Sequence, residues 1–367
     1  MKNKQNILFL IHFPPPVHGS SVVGSIVKNS TVINDTFGCR YINLLVSRKI
    51  GETGKIDLQK TARFIGIWFK LLIEILHKKP SRCYLALTTT GSAFYKDVLL
   101  VALLRFFRVK RIYHLHNKGV SNYQTKGINK LLYRFVFSGA DVILLSQRLY
   151  QDIEAFVPIS KVHICPNGVA DVSNNQFCNQ SKENAVKMLF LSNLIEAKGV
   201  LILLEACSIL QQRGLFFECN FIGGEGDITV SQLNKKIQTK GLAAKVHYNG
   251  PQFGSDKQSS FAESTIFVLP SLKECFPLVI LEAMQYSLPV ISTFEGGIPD
   301  VVEDGVTGFL VPQKDAAALA EKLAILIENP ELRQQMGKAG RTKYENEFTL
   351  AIFEHRLVEI LQQIIEK

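Results

Sequence analysis

Short apolar runs alternate with longer stretches of helical spacing along the whole chain, and this alternation limits the fold more than any other feature. Ile7–Phe13, Tyr84–Leu87, Arg111–Leu115 and Val142–Leu145 have strand length. Thr61–His77, Phe94–Phe107 and Lys126–Phe137, between them, carry helical patterns. The first half ends in the Pro/Asn/Gly turn of Val162–Gly168, and the Asn-, Gln- and Ser-rich stretch Asp171–Asn184 reads as a linker. A second cycle follows, with strands at Val186–Leu191, Phe217–Ile222, Val246–Tyr248, Ile266–Leu269 and Val290–Ser292. Its helices fall at Val200–Arg213, Ala316–Glu328, Glu331–Glu347 and Leu350–Glu366. The expected class is α/β: two doubly wound, Rossmann-like domains, 1–170 and 185–349, facing a central cleft.

A chain of 367 residues is natural for two domains. Its 47% hydrophobic and 20% charged content argue against disorder. The net charge of +10 hides an asymmetry. Residues 1–170 hold 24 Lys/Arg and 8 Asp/Glu, hence +16, and the remainder holds 18 and 24, hence −6. Such a split suits halves with different partners, the basic one facing an anionic membrane surface, a lipid phosphate or nucleic acid. No recognisable nucleic-acid module accompanies it, so no nucleic-acid partner is expected. The densest basic cluster, Arg105–Arg111, mixes aromatics with cations as peripheral membrane binders do, although a solvated helix end would look the same. Seven scattered cysteines without zinc spacing fit reduced thiols. The apolar start is read as a strand rather than a signal peptide, and no run has the length of a membrane span. These features lead to the expectation of a cytoplasmic protein, either free or at the inner face of the plasma membrane.

Ser271–Ile291 is the most informative window. Glu274 precedes an expected helix start, Pro277 suits the first turn, and Leu278–Met284 is apolar on every side except for Glu282. A helix of that kind is expected to be buried, and a buried acid needs a polar partner. A ligand hydroxyl would serve, as would a structural lysine or arginine. The helix's first N–H groups suit an anion.

Other candidates stand where strands end. In Phe13–Gly24, Gly19 would admit a close ligand, and Ser20 or Ser21 could cap the next helix. In Tyr113–Gly119, alternation puts His114 and His116 on one face. Asn193 and Lys198 follow the first strand of the second half, where Lys198 would counter a diphosphate and Asn193 could donate a hydrogen bond. Gly223 and Gly224 form a Gly-rich turn. No catalytic triad, Walker loop, zinc motif or Asp-x-Asp pair is present, and neither a metal nor a separate cofactor is expected.

The pair Glu274 and Glu282, the turn Glu295–Asp300 and the run Val301–Val311 resemble retaining glycosyltransferases of family 4, of the bacterial surface-polysaccharide type. Asp300 replaces that family's usual glutamate, Asn193 a frequent arginine, and Gly19 with Ser20 its paired glycines. The resemblance implies the GT-B fold, with an acceptor-binding first domain onto which helix 350–367 packs back, and a second domain that binds nucleotide-sugar. It implies transfer of a hexose from a UDP- or GDP-linked donor to a saccharide or lipid-linked hydroxyl, with retention and without metal. Glu274, Lys198 and His116 would be catalytic: Glu274 on the ring hydroxyls, Lys198 on the diphosphate, His116 near the sugar's C6. Glu282 would accept from the ribose. Asn193, Gly19, Gly223, Gly224 and the backbone around Phe276, Pro277 and Leu278 would complete the donor site. A nucleotide-sugar epimerase on the same fold and a non-catalytic relative are the alternatives.

Overall fold

The computed structural model describes residues 4–15, 17–45, 58–125, 127–171 and 186–366. Residues 172–184 of the expected linker lie outside them. Two compact units emerge: Met1–Asn167 with Ala351–Lys367, and Gly168–Leu350.

The first unit is built on strands β1 (Asn6–Ile11), β2 (Gly38–Asn43), β3 (Arg82–Leu85), β4 (Lys110–Leu115), β5 (Asp141–Leu144) and β6 (Val162–Ile164). They form one sheet in the order β2-β1-β3-β4-β5-β6, every pairing parallel. Its helices are α1 (Gly19–Asn29), α2 (Thr31–Thr36), α3 (Leu58–His77), α4 (Gly91–Phe106), α5 (Val120–Tyr123) and α6 (Gly127–Phe137). Ile7 to Leu10 are fully buried, because the inner strands of a parallel sheet are covered on both faces.

The second unit repeats the plan with β7 (Lys187–Leu191), β8 (Glu218–Ile222), β9 (Val246–Tyr248), β10 (Ile266–Leu269), β11 (Val290–Thr293) and β12 (Gly308–Val311). Their order is β12-β11-β10-β7-β8-β9, again all parallel. Its helices are α7 (Val200–Gln212), α8 (Val230–Thr239), α9 (Gly254–Glu263), α10 (Leu278–Gln285), α11 (Ile298–Val301), α12 (Ala316–Glu328) and α13 (Pro330–Glu347). The last helix, α14 (Leu350–Glu366), buries Phe353, Leu357, Leu361 and Ile364 at helical spacing. Near its end the Ile364 carbonyl accepts from the Arg82 guanidinium at 3.4 Å, within the first unit.

One expectation fails here. Val162–Ile164, read as part of a turn, pairs with β5 as an edge strand, where half-buried residues carry little apolar signal. In the basic cluster Arg105–Arg111, two of the cations have structural work. Arg105 donates to the Phe135 carbonyl and lies over the Phe135 ring, and Arg111 donates to the Ser138 carbonyl at 2.7 Å. Both satisfy carbonyls at the C-terminal end of α6, where cations complement the helix dipole. Among the described residues no helix is long and apolar enough to cross a membrane.

Candidate functional site

In the second sheet the chain reverses its direction of winding between β7 and β10, and open α/β sheets leave a ligand crevice beyond the strand ends at such a point. The two loops that leave these strands are fastened together. The Ala197 carbonyl accepts from the Leu272 N–H at 2.8 Å and from Ser271 Oγ at 3.0 Å. Gly199 closes the single turn Glu196–Lys198 at φ +85°, and a Cβ there would stand 2.1 Å from the Pro270 oxygen. Only glycine lets the loops meet so closely. Lys198 and Glu274 are thereby joined in an ion pair across the two loops, with side chains 24% and 13% exposed.

A further layer holds Glu274. Its N–H donates to Glu295 Oε1 at 3.1 Å, while Gln313 Nε2 donates to Glu295 Oε2 at 3.0 Å. The Gly297 N–H donates to the Cys275 carbonyl at 2.8 Å. Gly296, at φ +56°, would drive a Cβ to 2.4 Å from the Glu274 oxygen. The Glu295–Gly297 turn therefore forms the floor of the Glu274 loop, a role that spacing does not reveal.

Pro277 is the N-cap of α10 rather than a residue of its first turn, and with no N–H it donates nothing. The amides of Leu278 and Val279 remain, both in the first turn and without an intrahelical acceptor. Phe276 is buried with its ring 6.1 Å from that of Phe348, so its side chain belongs to the core. The expectation of a helix buried on all sides is corrected: Leu278, Val279 and Glu282 form a half-exposed face. Glu282 is accordingly no buried acid. Its side chain is 27% exposed, and Oε1 accepts from Lys257 Nζ of α9 at 2.7 Å, which matches the competing reading of a protein partner. Asn193 Oδ1 accepts from the Gly224 N–H at 3.2 Å, and Gly223 lies with its backbone against Ser192, so all three shape the loops after β7 and β8.

Gly19 and His116 stand in the first unit. Its sheet reverses between β1 and β3, and the loop after β1 carries His12 and His18. His18, not Ser20 or Ser21, is the N-cap of α1: Nδ1 accepts from the Ser21 N–H at 3.4 Å, and Ser21 Oγ accepts from the His18 N–H at 2.9 Å. The imidazole nitrogen does the work usually given to a hydroxyl. Gly19 opens the helix with no atom within 4 Å of a Cβ, so its smallness is not required by the protein's own packing.

His114 and His116 do share a face, with ring centroids 4.3 Å apart, and the His12 and His18 rings are 6.0 Å apart. His114 is fully buried and bonds through Nδ1 to the Tyr84 hydroxyl. Burial, and then the charges of His12 and His18, push His116 down to about 3. His12 is lowered to about 4 by burial and by His18, while burial also lowers His18 and holds His114 well below the ordinary histidine value. The cluster is therefore neutral at pH 7, a set of hydrogen-bonding rings rather than an anion trap. Asn117 and Asp152 sew the neighbouring loops. Asn117 Oδ1 accepts from the Thr89 N–H at 3.2 Å, and Asp152 accepts from the N–H groups of Gly119, Val120 and Ser121 at 2.8–3.1 Å. Among the described residues no group of three or more His, Cys, Asp or Glu side chains is arranged to hold a metal.

Residues 171–343 match the family described as glycosyl transferases group 1. The amylovoran biosynthesis glycosyltransferase AmsK of Erwinia amylovora is 29% identical over 333 residues, which cover 87% of this chain and 81% of AmsK. The putative colanic acid biosynthesis glycosyltransferase WcaL of Escherichia coli K12 is 29% identical over 188 residues, 49% of this chain and 45% of WcaL. Among solved structures, HepE of Anabaena in complex with UDP and glucose superposes with a TM-score of 0.74 at 18% identity, covering 98% of this chain and 99% of HepE. At that identity the likeness speaks for the fold alone, and the fold is GT-B.

Proposed function

We propose, for a chain whose residues 171–343 belong to the glycosyl transferases group 1 family, transfer of a hexose from a nucleoside-diphosphate sugar to a saccharide or lipid-linked hydroxyl in polysaccharide assembly. One observation carries the reading. Lys198 and Glu274 meet at the switch point of the second sheet, where the loop that carries Glu274 leads into the first turn of α10. Lys198 then faces the diphosphate together with the Leu278 and Val279 amides, offsetting charge as the leaving group departs. A diphosphate that takes over Lys198 releases the Glu274 carboxylate to accept hydrogen bonds from the sugar ring. Glu282 offers Oε2 to the ribose while Lys257 holds Oε1. AmsK and WcaL are named for amylovoran and colanic acid biosynthesis, which supports that setting, and the bound UDP of HepE supports a nucleotide donor.

Retention follows from attack on the face the leaving group departs. The acceptor oxygen bonds to the anomeric carbon as the bond to the diphosphate breaks, and a phosphate oxygen takes the acceptor's proton. Neutral His116, in the acceptor-binding first unit, orients hydroxyls without adding charge.

Thermal-shift titration of the whole chain with UDP, GDP and their hexose conjugates tests the donor assignment, because a ligand that binds the native state raises the melting point by mass action. At least one conjugate is expected to stabilise the wild type, and Lys198→Ala to abolish most of that shift. A panel without any shift, or a Lys198→Ala protein that responds like wild type, would overturn the proposal.

A further inference from the structure

One apolar face of the first unit has no partner among the described residues of that unit. Right-handed crossovers place α3, α4 and α6 on one side of the sheet, because β2 to β3, β3 to β4 and β4 to β5 all advance in one direction. α4 packs between the other two. On α3, Ile65, Phe69, Ile73 and Leu76 recur at intervals of 4, 4 and 3 and point outward, each 48–65% exposed. α4 is apolar all round, which belongs to a buried helix, yet its outward Leu99 and Phe106 are 53% and 79% exposed. Leu131 of α6 extends the stripe.

The charges of the segment that builds this face are mostly of one sign. Residues 58–137 hold 15 Lys/Arg against 2 Asp/Glu, Glu74 and Asp97. Asp97 is buried, and Glu74 pairs with Arg40 at 2.5 Å. Lys70, Lys130 and Arg134 are exposed on the same helices as the apolar stripe. A second copy docked here would set cations against cations. An anionic bilayer meets both features, taking the side chains into its interfacial layer and the cations onto its phosphates.

We infer that the α3–α4–α6 face docks this protein on an anionic lipid surface, with the apolar stripe of α3 as its anchor. This deepens the proposed function by naming where a lipid-linked acceptor would be approached. Vesicle binding needs no nucleotide sugar, so the two proposals fail separately.

The chain's one tryptophan, Trp68, lies next to Phe69 and reports on the contact. The full chain is mixed with vesicles of equal parts phosphatidylglycerol and phosphatidylcholine, or of phosphatidylcholine alone, and followed by co-sedimentation and Trp68 emission. Salt-sensitive binding with a blue shift is expected on the anionic vesicles only. Phe69→Ser with Ile73→Ser, and separately Lys70→Glu with Lys130→Glu, should each weaken partitioning by about tenfold or more while the wild-type melting point is kept. Absence of binding by the wild type, or wild-type binding by both folded variants, overturns the inference. So does a dimer in sedimentation that the apolar variant dissociates, since the face would then cover a second copy.

Discussion

The two units solve the same packing problem with the same sheet plan, yet arm their strand ends differently. The second unit sets charges against each other: Lys198 with Glu274, and Lys257 with Glu282. The first gathers four histidines, two of them pushed to about 3 and 4. An ion pair at a loop end can be opened by a charged ligand that replaces one partner, whereas a buried neutral ring can only exchange hydrogen bonds. On the proposed function, leaving-group charge falls to the second unit and hydroxyl recognition to the first.

Removing the charge pair gives the largest expected effect. Lys198→Ala and Glu274→Ala should each lower kcat by about 10²–10³, the range seen when one preorganised charge or donor is deleted. His116→Ala should lower turnover while keeping the stabilisation by nucleoside diphosphate, which Lys198→Ala loses. If His116→Ala abolishes that stabilisation and Lys198→Ala keeps it, the division of labour is reversed.

Acid should then separate the units. His12 and His116 titrate in the fold near 4 and 3, below the unfolded value near 6.5. Their neutral forms contribute stability that is fully present above pH 6.5 and is lost as pH falls toward the folded values. At pH 5 the loss is about 1–2 kcal/mol per ring, because the unfolded chain binds the proton and the fold does not. Trp68 emission follows the first unit's melting, and its midpoint should drop between pH 7.5 and pH 5 in wild type but less steeply in His12→Gln. Identical slopes in the two proteins would remove the histidines as the cause.

Much of the fold was legible because inner parallel strands are continuous apolar runs: β10 falls on the expected residues, and β1, β4 and β7 within two of them. What escaped lies at edges and on wet surfaces. β2, Gly-Cys-Arg-Tyr-Ile-Asn, is mostly half-buried and reads as loop, and α9 presents mostly polar residues, so Lys257 and its hold on Glu282 went unseen. At the candidate sites, Lys198 and Glu274 were each singled out but not their pairing, since contact across 76 residues leaves no periodic trace. Glu295, Asn117 and Asp152 escaped for another reason. They act on backbone N–H groups, which every residue but proline offers, so no spacing betrays the target. The exposed stripe of α3 shows the same limit from the other side: its helical period was plain, but which apolar residues remain uncovered depends on the neighbours.

The smallest expected effect bears most directly on Glu282. Its pair with Lys257 is partly solvated on both sides, 27% exposed each, and pairs of that kind contribute about 0–1 kcal/mol. Lys257→Met should therefore shift the unfolding midpoint little. The donor KM is the informative quantity. If Lys257 holds the carboxylate in place while Oε2 meets the ribose, losing it frees the side chain to wander. KM should then rise about threefold to tenfold with kcat unchanged, the pattern of an interaction equally present in ground and transition states. If the pair instead keeps Glu282 away from the donor, Lys257→Met lowers KM. A Glu282→Gln protein with wild-type KM would carry the same message, and the ribose would then need another partner in the second unit.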